Sequence, residues 1–325
     1  MTTMAKARIL VTRHLPNEVE NRLTRDFSTE LNPDDRAMSG AEIAERAKNF
    51  DGLLITSMDR CRKDLIDALP ASIRMIATFS VGTDHIDILA AKAKGIAVSN
   101  TPDVLTDATA DVALLLMLGA ARGAVWGDKM VRDNQWGPPS PTYPLGLDVS
   151  GRRLGIIGMG RIGQAVAIRA QAFNMILHYH NRRKVDAASE HGATFHARLD
   201  DMLPNCDFLS INCASTAETR DLINEKTIGR LPNGAIIVNT ARGEIVDDEA
   251  LISALKSGKL AAAGLDVFKG EPNIDPRYRE LDNVFMLPHL GSATKNTRIA
   301  MGMRAVDNLE AFFKGGKPRD LLTGA

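Results

Sequence analysis

Three glycines, Gly158, Gly160 and Gly163, stand at Gly-x-Gly-x-x-Gly spacing. Before them, Leu154, Ile156 and Ile157 form a short apolar run of buried-strand type; after them, Ile162, Val166, Ala170 and Phe173 recur at helical intervals. A glycine turn between strand and helix is suited to one kind of chemistry. Gly158 permits the tight turn, Gly160 lets backbone approach a pyrophosphate, and Gly163 lets helix and strand pack closely. Amides near Arg161 and Ile162 would face the phosphates from the favourable end of the helix dipole. The spacing alone also fits an ordinary glycine-rich turn, but its setting points to a bound dinucleotide.

The next strand, Met175 to His180, bears on which dinucleotide. An NAD site ordinarily ends this strand with Asp or Glu, about 20 residues beyond the glycines, to accept from the ribose 2′-hydroxyl. Here the strand ends in Asn181, followed by Arg182, Arg183 and Lys184. Nothing there would repel a 2′-phosphate, and two guanidiniums could grip one in bidentate fashion. NADP(H) is therefore expected over NAD(H).

A nicotinamide reducing a carbonyl also needs a proton source and an anion clamp, and three strand ends offer candidates. Arg242 follows the apolar run Ile236 to Asn239, Glu271 follows Leu265 to Phe268, and His289 follows Val284 to Pro288. In doubly wound sheets, ligands gather at such carboxyl ends. Taken singly, these residues read better as a surface arginine, a solvated loop glutamate and a satisfied histidine.

The elements that must position these groups alternate along the chain. With 325 residues there is length for two domains, each with its own core. In the first hundred residues, Ile9–Val11, Asp51–Thr56, Met75–Thr78 and Ile96–Val98 read as strands. Between them, Ser39 to Glu42 has a capping-box pattern, and a helix over Ile86 to Lys94 is closed by Gly95. A helix through Asp107 to Ala121 is apolar nearly all round and should be buried. Trp126 to Ser150, with Pro138, Pro139, Pro141 and Pro144, should be irregular. A second series of strands runs over Leu154, Ile176–His180, Asp207–Asn212, Ala235–Asn239, Ala262–Val267 and Val284–Leu287. A last helix, about Lys295 to Phe313, has no strand after it and should return to the first domain. The expectation is an α/β protein of two doubly wound parallel-sheet, Rossmann-like domains with a cleft between them. Residues 1–100 plus 291–325 would form a flavodoxin-like substrate domain. Residues 101–290 would form the dinucleotide domain, with a proline-rich dimerisation arm over about 123–150.

Lys+Arg and Asp+Glu both number 40, so no global field favours nucleic acid or an anionic membrane. The apolar stretch Val112 to Ala121 is too short for the ~20 residues of a membrane span. No signal-like apolar segment precedes Arg8 to Thr12. Cys61, Cys206 and Cys213 are odd in number and lack C-x-x-C spacing, which suggests neither disulfides nor a zinc site. A soluble cytoplasmic protein with no metal site is expected.

At this point the motifs combine. The glycine fingerprint with Arg161 and Ile162, Asn239 to Gly243, Ala263 to Val267, Glu271-Pro272, and Pro288 to Thr294 follow one another in the order found in D-isomer-specific 2-hydroxyacid dehydrogenases. The chain resembles that family over nearly its whole length, and its glyoxylate/hydroxypyruvate reductase branch most closely. Thr101 to Thr109 and the Tyr143 segment carry the likeness to that branch.

The resemblance implies that Arg242 clamps the substrate carboxylate and polarises the 2-oxo group. It implies that His289 is the general acid, with Glu271 holding the far imidazole nitrogen and favouring the charged ring. Amides of Val81 and Gly82 would bind the substrate carboxylate, with Ser292 lining the substrate end. Tyr143 would reach the partner subunit's site in a homodimer. Cofactor contacts would come from Gly158, Gly160, Arg161, Ile162, Gly163, Arg182, Arg183, Cys213, Thr240, Asp266 and Gly291, with Asp266 on the carboxamide. A dinucleotide-sensing corepressor of the same fold, or a dehydrogenase for lactate, phosphoglycerate or formate, is the alternative.

Overall fold

The computed structural model describes residues 6–138 and 140–323. The chain divides into two compact units, Met1–Leu105 with Thr294–Ala325, and Thr106–Ala293. These divisions fall a few residues later than the 100/101 and 290/291 junctions expected from the sequence.

In the first unit β1 (Arg8–Val11), α1 (Asn17–Asp26), β2 (Ser28–Glu30), α2 (Gly40–Arg46), β3 (Gly52–Thr56), α3 (Lys63–Ala68), β4 (Met75–Phe79), α4 (Ile88–Ala93) and β5 (Ala97–Ser99) alternate. The five strands are parallel in the order β2-β1-β3-β4-β5. β3 and β4 are buried on both faces, which is why they read as continuous apolar runs. β2 was not anticipated: its sequence, Ser-Thr-Glu, has no apolar run, because it lies at the sheet edge and is largely exposed. Ser39 caps α2 by accepting from the Glu42 amide at 3.2 Å, while the Glu42 carboxylate pairs with Arg36 at 3.0 Å. Gly95 closes the α4 segment with φ +75°. The C-terminal helix, Lys295–Phe313, packs Met301, Ala305, Val306 and Leu309 into the core around β1, β3 and β4.

The second unit opens with α5 (Thr106–Arg122) and α6 (Ala124–Arg132), bent apart at Gly123 with φ +63°. There follow β6 (Arg153–Ile157), α7 (Arg161–Gln171), β7 (Ile176–His180), β8 (Thr194–His196), α8 (Leu199–Met202), β9 (Phe208–Ile211), α9 (Glu225–Arg230), β10 (Ala235–Asn239), α10 (Asp248–Lys256), β11 (Leu260–Leu265) and β12 (Val284–Met286). Seven parallel strands lie in the order β12-β11-β10-β9-β6-β7-β8. One, β8, is a short edge strand that the sequence pattern hid.

α5 is the apolar helix, and it buries Ala113, Leu116 and Met117 completely. Each large side chain so placed contributes ~1.5–3 kcal/mol. Phe285 lies where a side chain on Gly119 would be, and Leu116 leaves no room for one on Gly264. The irregular segment begins later than expected, because residues 124–132 are helical; Pro139 lies outside the described residues. Among the described residues, no single helix is long and apolar enough to cross a membrane.

Candidate active site

The strand register of the second unit aligns the candidate residues on one rim. His180, Ile157, Ile211, Asn239, Leu265 and Met286 are register partners in one row across the sheet. The residues one step beyond that row are Asn181, Gly158, Asn212, Thr240, Asp266 and Leu287. Strand order reverses between β6 and β9, so Gly158 and Asn212 flank the switch point where doubly wound sheets take ligands.

Gly158 has φ +95°, and a Cβ there would lie 2.6 Å from the Cys213 nitrogen. No side chain fits. Gly163 is equally constrained: a Cβ would lie only 2.1 Å from the Gly158 carbonyl oxygen, so α7 starts hard against the turn. Gly160 differs: a Cβ there would meet nothing within 4 Å, which leaves space over the start of α7. Cys213 is half-buried, and burial pushes its thiol up to about 11, so it stays neutral and lines the turn rather than reacting.

Asn181, where a carboxylate was looked for, has a structural use. Its Oδ1 accepts from the Met159 amide at 2.8 Å and braces the glycine turn. Arg182 and Arg183 beside it are exposed.

Two buried oxygens on the rim, Asn212 Oδ1 and Thr240 Oγ1, have no hydrogen-bond partner among the described residues. Buried polar atoms are nearly always satisfied, so an orphaned pair at the ends of β9 and β10 is the mark of a site built for a polar ligand. The open space at Gly160, the α7 amides and these oxygens fit a dinucleotide.

Beyond the rim stand the three chemical candidates. His289 Nδ1 and Glu271 Oε1 are 2.6 Å apart, both partly exposed, and Glu271 Oε2 accepts from the Phe268 amide at 3.3 Å. Burial raises the Glu271 carboxyl. The His289 hydrogen bond and charge, the Phe268 amide and the charge of Arg242 outweigh it and hold the carboxyl below its ordinary value. Glu271 is therefore ionised at neutral pH.

Arg242 leaves its strand in extended conformation, and its Nη1 donates to the Ala241 carbonyl at 2.7 Å. The turn that presents it is fastened by Asn239, which is 1% exposed. The Asn239 side-chain amide accepts from Ala241 N at 3.0 Å and donates to the Arg242 carbonyl at 2.9 Å.

His289 sits at φ +56°, a conformation that costs a non-glycine residue on the order of 1 kcal/mol or more. Asp266 holds it there. The His289 amide donates to the Asp266 carbonyl at 2.8 Å, and the Asp266 carboxylate accepts from Leu290 N at 2.6 Å and Gly291 N at 2.8 Å. Burial keeps the Asp266 carboxyl above its usual range, the two amides acting in the opposite sense. Both oxygens of Asp266, the residue expected on the cofactor carboxamide, accept from backbone amides of the histidine loop. Thr109 of α5 completes the brace by donating to the Gly291 carbonyl at 3.1 Å.

The roles of Asn239 and Thr109 were missed. The one available signal was their place in the family's motifs, since the contacts depend on tertiary register. Ser292 follows Gly291 and is partly exposed. Tyr143 is 68% exposed in the irregular segment after α6 and makes no hydrogen bond among the described residues. Val81 and Gly82 belong to the first unit, just past β4. No group of three or more metal-ligating side chains occurs among the described residues.

A doubly wound unit with a dinucleotide turn, and a carboxylate-held histidine beside an arginine on the same rim, defines a nicotinamide-dependent oxidoreductase. A model of the D-isomer-specific 2-hydroxyacid dehydrogenase NAD-binding domain matches residues 114–291. The chain belongs to the D-isomer-specific 2-hydroxyacid dehydrogenase family. It is 45% identical to a glycerate dehydrogenase of Hyphomicrobium methylovorum over 314 residues, covering 96% of this chain and 98% of that one. It is 41% identical to a glyoxylate reductase of Pyrococcus furiosus over 322 residues, covering 98% and 95%. Among solved structures, an NADPH-dependent glyoxylate/hydroxypyruvate reductase of Sinorhizobium meliloti, in complex with NADP and malonate, superposes with a TM-score of 0.87 at 35% identity, covering 98% and 97%.

Proposed function

We propose that the chain reduces glyoxylate or hydroxypyruvate to the 2-hydroxy acid, with NADPH favoured over NADH. The observation that carries the reading is the 2.6 Å Glu271–His289 pair, set on the same rim as the dinucleotide turn and Arg242. A bound nicotinamide supplies the hydride.

The chain's own groups manage the charge and the proton. Arg242 offers a planar, charged fork to the substrate carboxylate and 2-oxo group. Glu271 occupies His289 Nδ1, so Nε2 is the nitrogen that hands its proton to the carbonyl oxygen as negative charge builds there. In the reverse direction the same nitrogen takes the proton back. Val81 and Gly82 amides hold the substrate carboxylate.

NADPH preference is supported by an amide at 181 in place of a carboxylate, with Arg182 and Arg183 adjacent, and by the NADP bound in the Sinorhizobium reductase. Homodimer formation is supported by the exposed apolar side chains Val125, Val131, Trp136, Tyr143, Leu145 and Leu147 in one stretch of chain. Glyoxylate, hydroxypyruvate, pyruvate and 3-phosphohydroxypyruvate, each assayed with NADPH and NADH, test the proposal. The highest kcat/KM should fall to glyoxylate or hydroxypyruvate with NADPH. Turnover confined to another acid would replace the substrate, and no oxidation of either cofactor with any acid would overturn the reading.

A further inference from the structure

The proposed function gives backbone amides after β4 to the substrate carboxylate, and hydrogen bonds within the first unit fix the orientation of that backbone. Three successive carbonyls after β4 are tied into the fold. Ser80 O accepts from Thr101 N at 2.9 Å, Val81 O from Asn100 Nδ2 at 2.8 Å, and Gly82 O from Ser80 Oγ at 2.8 Å. In a trans peptide the C=O and the following N–H point in opposite directions. The amides of Val81, Gly82 and Thr83 are therefore turned away from the anchors, and none donates to another group among the described residues.

Behind the last anchor lies a buried chain of polar side chains. Thr78 Oγ1 is 2.8 Å from Ser80 Oγ and 2.9 Å from His85 Nε2. Thr78, Ser80 and His85 are 0%, 6% and 5% exposed. Hydrogen counting sets the direction. A hydroxyl has one proton to give, and Ser80 gives its own to Gly82 O. Thr78 must then donate to Ser80, which leaves His85 Nε2–H as the donor to Thr78. The chain runs one way, from the imidazole to the Gly82 carbonyl, and donors in series polarise one another.

We infer that His85, Thr78 and Ser80 are positioning residues for the substrate carboxylate, fixing the Gly82–Thr83 peptide so that the Thr83 amide joins those of Val81 and Gly82 in a three-amide anion nest. The inference rests on the reading that this loop takes the carboxylate of a 2-oxo acid.

The test uses the full chain with NADPH and glyoxylate. Ser80→Ala cuts the last link with little change in volume. It should raise KM for glyoxylate about five- to tenfold, the size of one net hydrogen bond, while kcat and the NADPH dissociation constant hold. His85→Leu should do the same, and His85→Gln, which keeps an N–H donor, should recover most of the loss. Oxamate added with NADP+ should slow amide exchange at 81–83 in the wild type and less so in Ser80→Ala.

An unchanged KM in Ser80→Ala, with only a lowered Tm, would make the chain purely structural and overturn the inference. So would equal losses in KM, kcat and NADPH affinity. If His85→Leu fails to fold, Ser80→Ala carries the test alone. Absence of wild-type turnover with any 2-oxo acid would be distinct, removing the substrate reading and this inference with it.

Discussion

The two units use the same sheet topology rule and treat its natural binding point in opposite ways. In the second unit the strand order reverses between β6 and β9, and the gap there is kept clear. Gly158 has no room for a side chain, Gly160 faces open space, and two buried oxygens wait on the neighbouring strand ends. In the first unit the order reverses between β1 and β3, and the corresponding point is filled. Asp59, 4% exposed, accepts from Thr12 Oγ1 at 2.7 Å and from the Thr56 amide at 2.8 Å. Both donors converge on Oδ2, so this buried carboxylate acts as a plug. The doubly wound fold therefore provides a place for a ligand, and side chains decide whether it is used. The first unit instead presents amides one strand further along, past β4.

That contrast can be broken experimentally. The largest effect should come from Arg242→Lys, because an ammonium cannot reproduce the planar fork. kcat/KM for the 2-oxo acid should fall about a thousandfold with the NADPH dissociation constant unchanged; near-wild-type kinetics would remove the clamp. Gly160→Val should weaken NADPH binding on the order of a hundredfold, or ~3 kcal/mol. Since a Cβ there meets no protein atom, Tm in the absence of cofactor should hold. Undiminished affinity by calorimetry would mean that the open space is not the cofactor's.

Asp59→Ala should do the reverse. It strands the Thr12 and Thr56 donors, at a cost of ~1–3 kcal/mol in denaturant unfolding, and leaves NADPH affinity alone. A loss of affinity would show that the first switch point also serves the cofactor.

The smallest effect is on acid stability. Glu271 is held below its ordinary value in the fold. Its contribution is present above the unfolded value, about 4.3, and is lost as pH falls through the lower folded value. The Tm difference between wild type and Glu271→Gln should therefore shrink as pH drops through that window. A difference that grows instead would contradict the ion pair.

What could be read in the sequence followed from what lies in neighbouring residues. The glycine turn and the apolar helix α5 announce themselves by local spacing, whereas Arg242 and His289 stood out as strand-end residues and took roles only through the ordered motifs of the family. Edge strands β2 and β8 did not, since partial exposure removes the apolar signal. The work of Asn181, Asn239, Asp266 and Thr109 was hidden for a different reason. Each acts on backbone far along the chain or across a turn: Asp266 braces Leu290 and Gly291, and Thr109 reaches Gly291 from α5. The His85 chain was invisible in the same way, because a threonine, a serine and a histidine spread over Thr78 to His85 have no common register until the loop folds. Side-chain chemistry at strand ends is legible, whereas the bracing that aims it is a property of the fold.

The Glu271–His289 pair is proposed to deliver the proton for reduction of a 2-oxo acid. The most direct measurement is the kcat of His289→Gln with glyoxylate and saturating NADPH, alongside the NADPH dissociation constant. kcat should fall about 10²–10⁴-fold with cofactor affinity intact. Turnover within a few-fold of wild type would contradict it.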